Sequence, residues 1–92
     1  MCAFVDIKAT DFDTDWQEEL AELIYEAACR SVSSRRTPAY LERQLRLRFG
    51  SGWTAMVSDD PLNLDWKSKR NFLYAVVGTR AFLVCRTGSR ND

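Results

Sequence analysis

Asn71-Phe72-Leu73-Tyr74-Ala75-Val76-Val77-Gly78-Thr79-Arg80-Ala81-Phe82-Leu83-Val84-Cys85-Arg86 is the stretch on which the fold turns. Asn71 to Val77 and Arg80 to Arg86 are rich in β-branched and aromatic residues, which favour strands. Gly78-Thr79 between them is a two-residue loop with glycine first, the signature of a type II′ hairpin. At period two, Phe72, Tyr74 and Val76 point one way and Leu73, Ala75 and Val77 the other. Ala81, Leu83 and Cys85 alternate with Phe82 and Val84 in the same manner. Both faces are therefore apolar, whereas an antiparallel sheet with one wet face alternates polar and apolar residues.

Working outward, Trp53 to Val57 reads as another strand, and Ala3 to Ala9 as a short one. Two helices lie between. Thr14 and Gln17 have capping-box spacing, and Asp11, Asp13 and Asp15 suit a helix N-terminus. Trp16, Leu20, Leu23, Ile24 and Ala27 then recur at three- and four-residue steps, ending near Arg30. Ser31 to Ser34 is a polar break. Thr37-Pro38 fits an N-cap followed by a first-turn proline. Leu41, Leu45 and Phe49 give the second helix its apolar face, and Gly50 and Gly52 end it. Ser58 to Arg70 is polar, with Pro61 and two embedded large apolar residues, Leu64 and Trp66. The expected class is α+β, with two N-terminal helices packed on a small antiparallel sheet. Two helices cover one sheet face and nothing else in the chain is left for the other, so a second chain is expected there. The alternative places the helices on opposite faces.

The chain has 92 residues, which reads as one domain, 1–92, with a disordered tail at about 89–92. A domain of this size buries about 60–65% of its unfolded surface, so added cover matters to stability. Lys plus Arg balances Asp plus Glu, which removes the broad attraction to nucleic acid or anionic membranes. The locally dense Arg35, Arg36, Arg43, Arg46, Arg48, Lys67, Lys69 and Arg70 keep a basic-helix nucleic-acid module as the alternative reading. No apolar run reaches the ~18 residues of a membrane span. Cys2, Cys29 and Cys85 lack metal-ligand spacing and read as reduced cytosolic thiols. With no histidine, His-based acid–base and nucleophilic catalysis are excluded. Asp59-Asp60 and Asp11-Asp13-Asp15 lack calcium-loop spacing. An enzyme is not expected, nor are a metal or cofactor.

The strand Phe49-Gly50-Ser51-Gly52-Trp53-Thr54-Ala55-Met56-Val57, the hairpin Phe72 to Arg86 and its continuation Thr87-Gly88 together resemble the smallest class of dynein light chains. Ile7-Lys8-Ala9-Thr10-Asp11-Phe12 is similar to that family's N-terminal strand. The match runs without gaps from about Val5 to Gly88. The resemblance implies a homodimer in which an edge strand crosses to the partner's sheet. It also implies two interface grooves, each taking an extended client segment as an added strand. The implied clients are segments of dynein intermediate chains and other scaffolds, in the cytoplasm and on the cytoskeleton, with the ciliary or flagellar axoneme as one setting. A general peptide-binding hub outside dynein is a further alternative. The groove positions are Lys8, Arg35, Phe72, Tyr74 and Leu83. Arg35 stands where the family has Lys.

The departures concentrate on the crossing strand. Pro61-Leu62-Asn63-Leu64-Asp65-Trp66-Lys67 occupies its place, and Pro61 suits an edge or a strand start. Leu62 replaces a glycine and Asn63 a hydroxyl. Trp66 replaces a Thr and is expected to intrude on the groove or fill it. Val76 replaces a groove Tyr. At the expected dimer interface, beside Met56, Thr54 replaces a His. These changes shift the expectation from a promiscuous homodimer to a heterodimer with a paralogous light chain in a fixed assembly.

Overall fold

The computed structural model describes residues 4–30, 36–60, 64–67 and 70–86. The chain order is β1 (Val5–Thr10), α1 (Thr14–Arg30), α2 (Thr37–Phe49), β2 (Trp53–Ser58), β3 (Phe72–Val77) and β4 (Arg80–Arg86). The strands form one antiparallel sheet in the order β1-β3-β4-β2. The β3–β4 hairpin is central, as its two-sided hydrophobicity demands. Val77 pairs with Arg80 across the loop. Gly78 has φ 64° and Thr79 is not left-handed, which is the type II′ arrangement.

Both helices pack on the same sheet face, so the opposite-face alternative is overturned. Leu20, Leu23, Ile24 and Ala27 of α1 and Leu41 and Leu45 of α2 form one core with Leu73, Ala75, Val77, Phe82, Val84, Trp53 and Ala55. The α2–β2 turn is held by an aromatic corner. Phe12, Trp16, Phe49 and Trp53 have ring centroids 4.9–5.9 Å apart. The Arg86 guanidinium lies 5.5 Å from the Trp53 ring and donates to the Phe49 carbonyl at 3.2 Å. Gly50 closes α2 with φ 96°.

The helix starts differ from the capping expectations. Asp13, one residue before Thr14, caps α1: its Oδ1 accepts from the Trp16 amide at 3.1 Å. Gln17 reaches back to the Phe12 carbonyl at 2.9 Å. At α2, Arg36 occupies the cap without a side-chain bond. Thr37 is buried, and its hydroxyl accepts from Arg80 at 2.9 Å, which ties α2 to the start of β4.

Asp11 is not a helix-start charge. Its two carboxylate oxygens accept from the Asn71 and Phe72 amides, each at 2.8 Å. Asn71, read as the first strand residue, stands at φ 50° just outside β3 and is oriented by this clamp. Thr10 adds a bond from its hydroxyl to the Phe72 carbonyl at 2.7 Å. Cys85 is buried and is not disulfide-bonded. Cys29, at the exposed end of α1, is disulfide-bonded, which corrects the expectation of a reduced thiol there. The expected tail lies outside the described residues.

Asp11→Ala removes two charge-assisted bonds at the β1–β3 junction. It is expected to cost about 2–3 kcal/mol, read as a lower urea midpoint with an unchanged slope. Gly78→Ala meets no atom within 4 Å. Its cost is the backbone conformation alone, about 1 kcal/mol in the same assay.

Candidate functional site

The sheet face away from the helices carries a second core of Phe72, Tyr74, Ala81, Leu83 and Cys85. These residues are at most 9% exposed. They are not waiting bare for a second chain. Leu64 and Trp66 of the same chain pack on them, with Ala9, Met56 and Val76 around the margin. The Trp66 ring is nearly parallel to Phe72, with centroids 5.8 Å apart and planes at 21°, and to Tyr74, at 5.9 Å and 19°. The expectation that nothing in the chain is left to cover this face is therefore corrected. Full burial of an aromatic side chain supplies about 1.5–3 kcal/mol and each offset stack about 0.5–1.5 kcal/mol, and Trp66, partly buried, draws on both to hold this segment on the sheet.

The structure gathers most of the sequence-predicted site. Phe72, Tyr74 and Leu83 form the buried floor, with Val76 and Met56 at its margin and Leu64 and Trp66 above. Thr54 pairs with Cys85 in the β2–β4 ladder, on the same side as Met56 by strand alternation. Asp65 and Lys67 are exposed and lie in the covering segment, where the Asp65 carboxylate accepts from the Lys67 amide at 3.2 Å. Arg35, Pro61, Leu62 and Asn63 lie outside the described residues.

Lys8 stands at a β-bulge. The β1–β3 register slips between Ile7 and Ala9, so Lys8 has no residue opposite it. Its ammonium bonds the Asp6 carboxylate at 2.8 Å. That hydrogen bond, then the carboxylate's charge, raises the Lys8 pKa above its ordinary value, and the amine is charged at any physiological pH. The pair is half exposed, so it adds little to stability.

Sequence reasoning missed Glu42. The strand order leaves β2 at one sheet edge, with no strand beyond it among the described residues. The Ala55 amide points outward from that edge, and the Glu42 carboxylate of α2 accepts from it at 3.0 Å. Nothing in the helical period marks Glu42. Its role appears only once α2 lies along β2. Of the α2 arginines, Arg48 is paired, lying 3.6 Å from Glu22 and 3.9 Å from Glu26. A separate groove of about 490 Å³, lined by Asp15, Trp16, Glu19, Arg48 and Phe49, holds none of the predicted site residues.

No family model matches the chain. A curated relative does: "Dynein light chain 1, cytoplasmic" of Kluyveromyces lactis is 30% identical over 81 residues, spanning 88% of this chain and 93% of the relative. The chain belongs to the dynein light chain family. Solved structures agree on the fold. The dynein light chain-like domain of the Fasciola hepatica calcium binding protein FhCaBP2 superposes with a TM-score of 0.76 at 12% identity, covering 94% of this chain and 93% of that one. The corresponding domain of CsTAL3 gives 0.76 at 18% identity, covering 95% and 99%. Dynein light chains are non-enzymatic structural or adaptor proteins, and the chain is one of that family.

Lys8→Ala is expected to leave the urea midpoint unchanged from the parent, because the Asp6 pair is solvent-screened. A loss by chemical denaturation would make Lys8 a structural residue.

Proposed function

We propose that this light chain acts as a subunit of a dynein motor complex and binds other chains by strand addition at the β2 edge. The observation that carries the reading is β2 itself. It is an edge strand beside α2, with outward amides and two apolar sheet faces at its flanks. Such an edge accepts an extended segment through main-chain bonds, while adjacent pockets select side chains. Family membership supports dynein chains as the partners.

The form proposed is a heterodimer with a paralogous light chain, holding intermediate-chain segments in a fixed assembly such as an axonemal dynein. A promiscuous groove needs an accessible floor, and here Phe72 and Tyr74 lie under Trp66. Dedicated pairing suits a chain whose groove is filled. The site residues proposed are Lys8, Arg35, the stretch 61–67, Phe72, Tyr74, Val76 and Leu83, with Trp66 filling the groove rather than contacting the partner, and Thr54 and Met56 at the subunit interface. Bivalent pairing of two clients raises their avidity without new contacts.

Sedimentation velocity of the purified chain, alone and mixed with a conventional light chain, tests the reading. The mixture should yield a species of combined mass absent from either sample alone. A stable homodimer that ignores the conventional chain would sink the heterodimer. The chain contains no histidine. This chain therefore brings no imidazole to the interface, and any self-association of the chain alone is expected to stay flat, within about twofold, between pH 6 and 7.5.

A further inference from the structure

We infer that this chain carries its own occupant for the surface through which it associates. Glu42 holds the β2 edge and must let go before a strand is added there, and Trp66 holds the outer sheet face, which a partner that also covers that face must take over. The inference rests on the strand-addition reading above and adds a closed state to it.

Two independent observations carry it. The first concerns the face. The Trp66 ring lies along Phe72 and Tyr74, and beneath them Leu83 is fully buried within the single chain. A segment drawn away from this position uncovers that floor.

The second concerns the edge. In an antiparallel pair, alternate residues turn their amides toward and away from the neighbouring strand. The Ala55 amide bonds Glu42 at 3.0 Å, so it turns away from β4. Trp53 and Val57 then turn the same way, and Met56 is bonded into β4. The outward amide of Ala55 sits mid-strand, where an added strand must place a carbonyl. A carboxylate is a stronger acceptor than a neutral carbonyl, so the incoming strand competes with a better ligand. The α2 backbone at Glu42 is fixed, because Leu41 beside it and Leu45 one turn on are fully buried, so release takes only a change of the Glu42 side chain's rotamer. Covering an edge is a recognised defence against unwanted pairing. Here the cover is a single displaceable side chain.

Closure and association therefore oppose each other. If only a fraction of molecules is open, the apparent dissociation constant rises by the inverse of that fraction. Weakening either contact on its own raises the open fraction and tightens association.

The experiment combines amide hydrogen exchange with sedimentation on the full chain, alone and with a conventional light chain. In Glu42→Ala, exchange at Ala55 should accelerate at least tenfold while Met56 keeps its protection. Association in Glu42→Ala and in Trp66→Ala should tighten at least tenfold over the parent. Should Trp66→Ala fail to fold, Trp66→Leu keeps apolar cover without the stacked ring, and Glu42→Ala leaves the covering segment untouched. Unchanged Ala55 exchange in Glu42→Ala overturns the inference. So does a parent that associates and variants that associate no more tightly; strand addition then stands without a closed state. Absence of association in the parent and every variant overturns strand addition itself, and the closed state as its regulator with it.

Discussion

A four-stranded sheet that is apolar on both sides must be covered twice, and every other feature of this chain answers to that demand. The helices meet half of it. Leu20, Leu23, Ile24 and Ala27 from α1 and Leu41 and Leu45 from α2 seal the inner face almost completely. The outer face has no helix. Among the described residues, its cover is a short non-helical segment whose grip is one indole ring lying along the rings of Phe72 and Tyr74, with a leucine beside it. The two covers differ in kind: thirty helical residues against four loop residues. The inner face is built to stay shut, and the outer face is closed by contacts that a competing apolar surface can replace.

The edges follow the same logic. β1 is anchored to β3 by the Asp11 carboxylate and the Thr10 hydroxyl, both gripping the start of β3. That edge also carries a bulge at Lys8, which disrupts the ladder and discourages a further strand. β2, at the opposite edge, has a straight register with β4 from Trp53 to Ser58. It is the regular edge of the sheet, and one glutamate on α2 guards its central amide. An added strand therefore has one suitable place to go.

The hairpin, the helices and the shared face of Phe72, Tyr74 and Leu83 were legible in the sequence because periodicity reports which side of an element is dry. The strand limits came within two residues for the same reason. What escaped was local hydrogen bonding by carboxylates. Asp11, Asp13 and Asp15 look alike in a linear reading, yet Asp11 clamps β3 and Asp13 caps α1. The choice is set by where β3 arrives, sixty residues later. Glu42 was illegible because its partner is a strand amide rather than a side chain. Trp66 was half legible. Its bulk announced that it would meet the groove, but not that its own chain's Phe72 and Tyr74 would receive it. The missing cover was assigned to a second chain because a four-residue segment without regular structure leaves no periodic trace.

The location of the closing residues gives the proposed specialisation a physical basis. A general hub binds many sequences through an open groove, with affinity from main-chain bonds that any strand can make. In this chain the central one of those bonds is contested, and so is the floor. The mid-strand amide of β2 already has a charged acceptor, and the floor that would receive a client's side chains already has an indole. A weak, generic strand cannot displace both. A partner that brings its own apolar cover for Phe72 and Tyr74, together with a strand for β2, replaces both contacts at once. On the heterodimer reading proposed above, a paralogous light chain would be such a partner. Closure then acts as a threshold that raises the affinity required of every client equally and leaves the partner with the largest matched surface least affected.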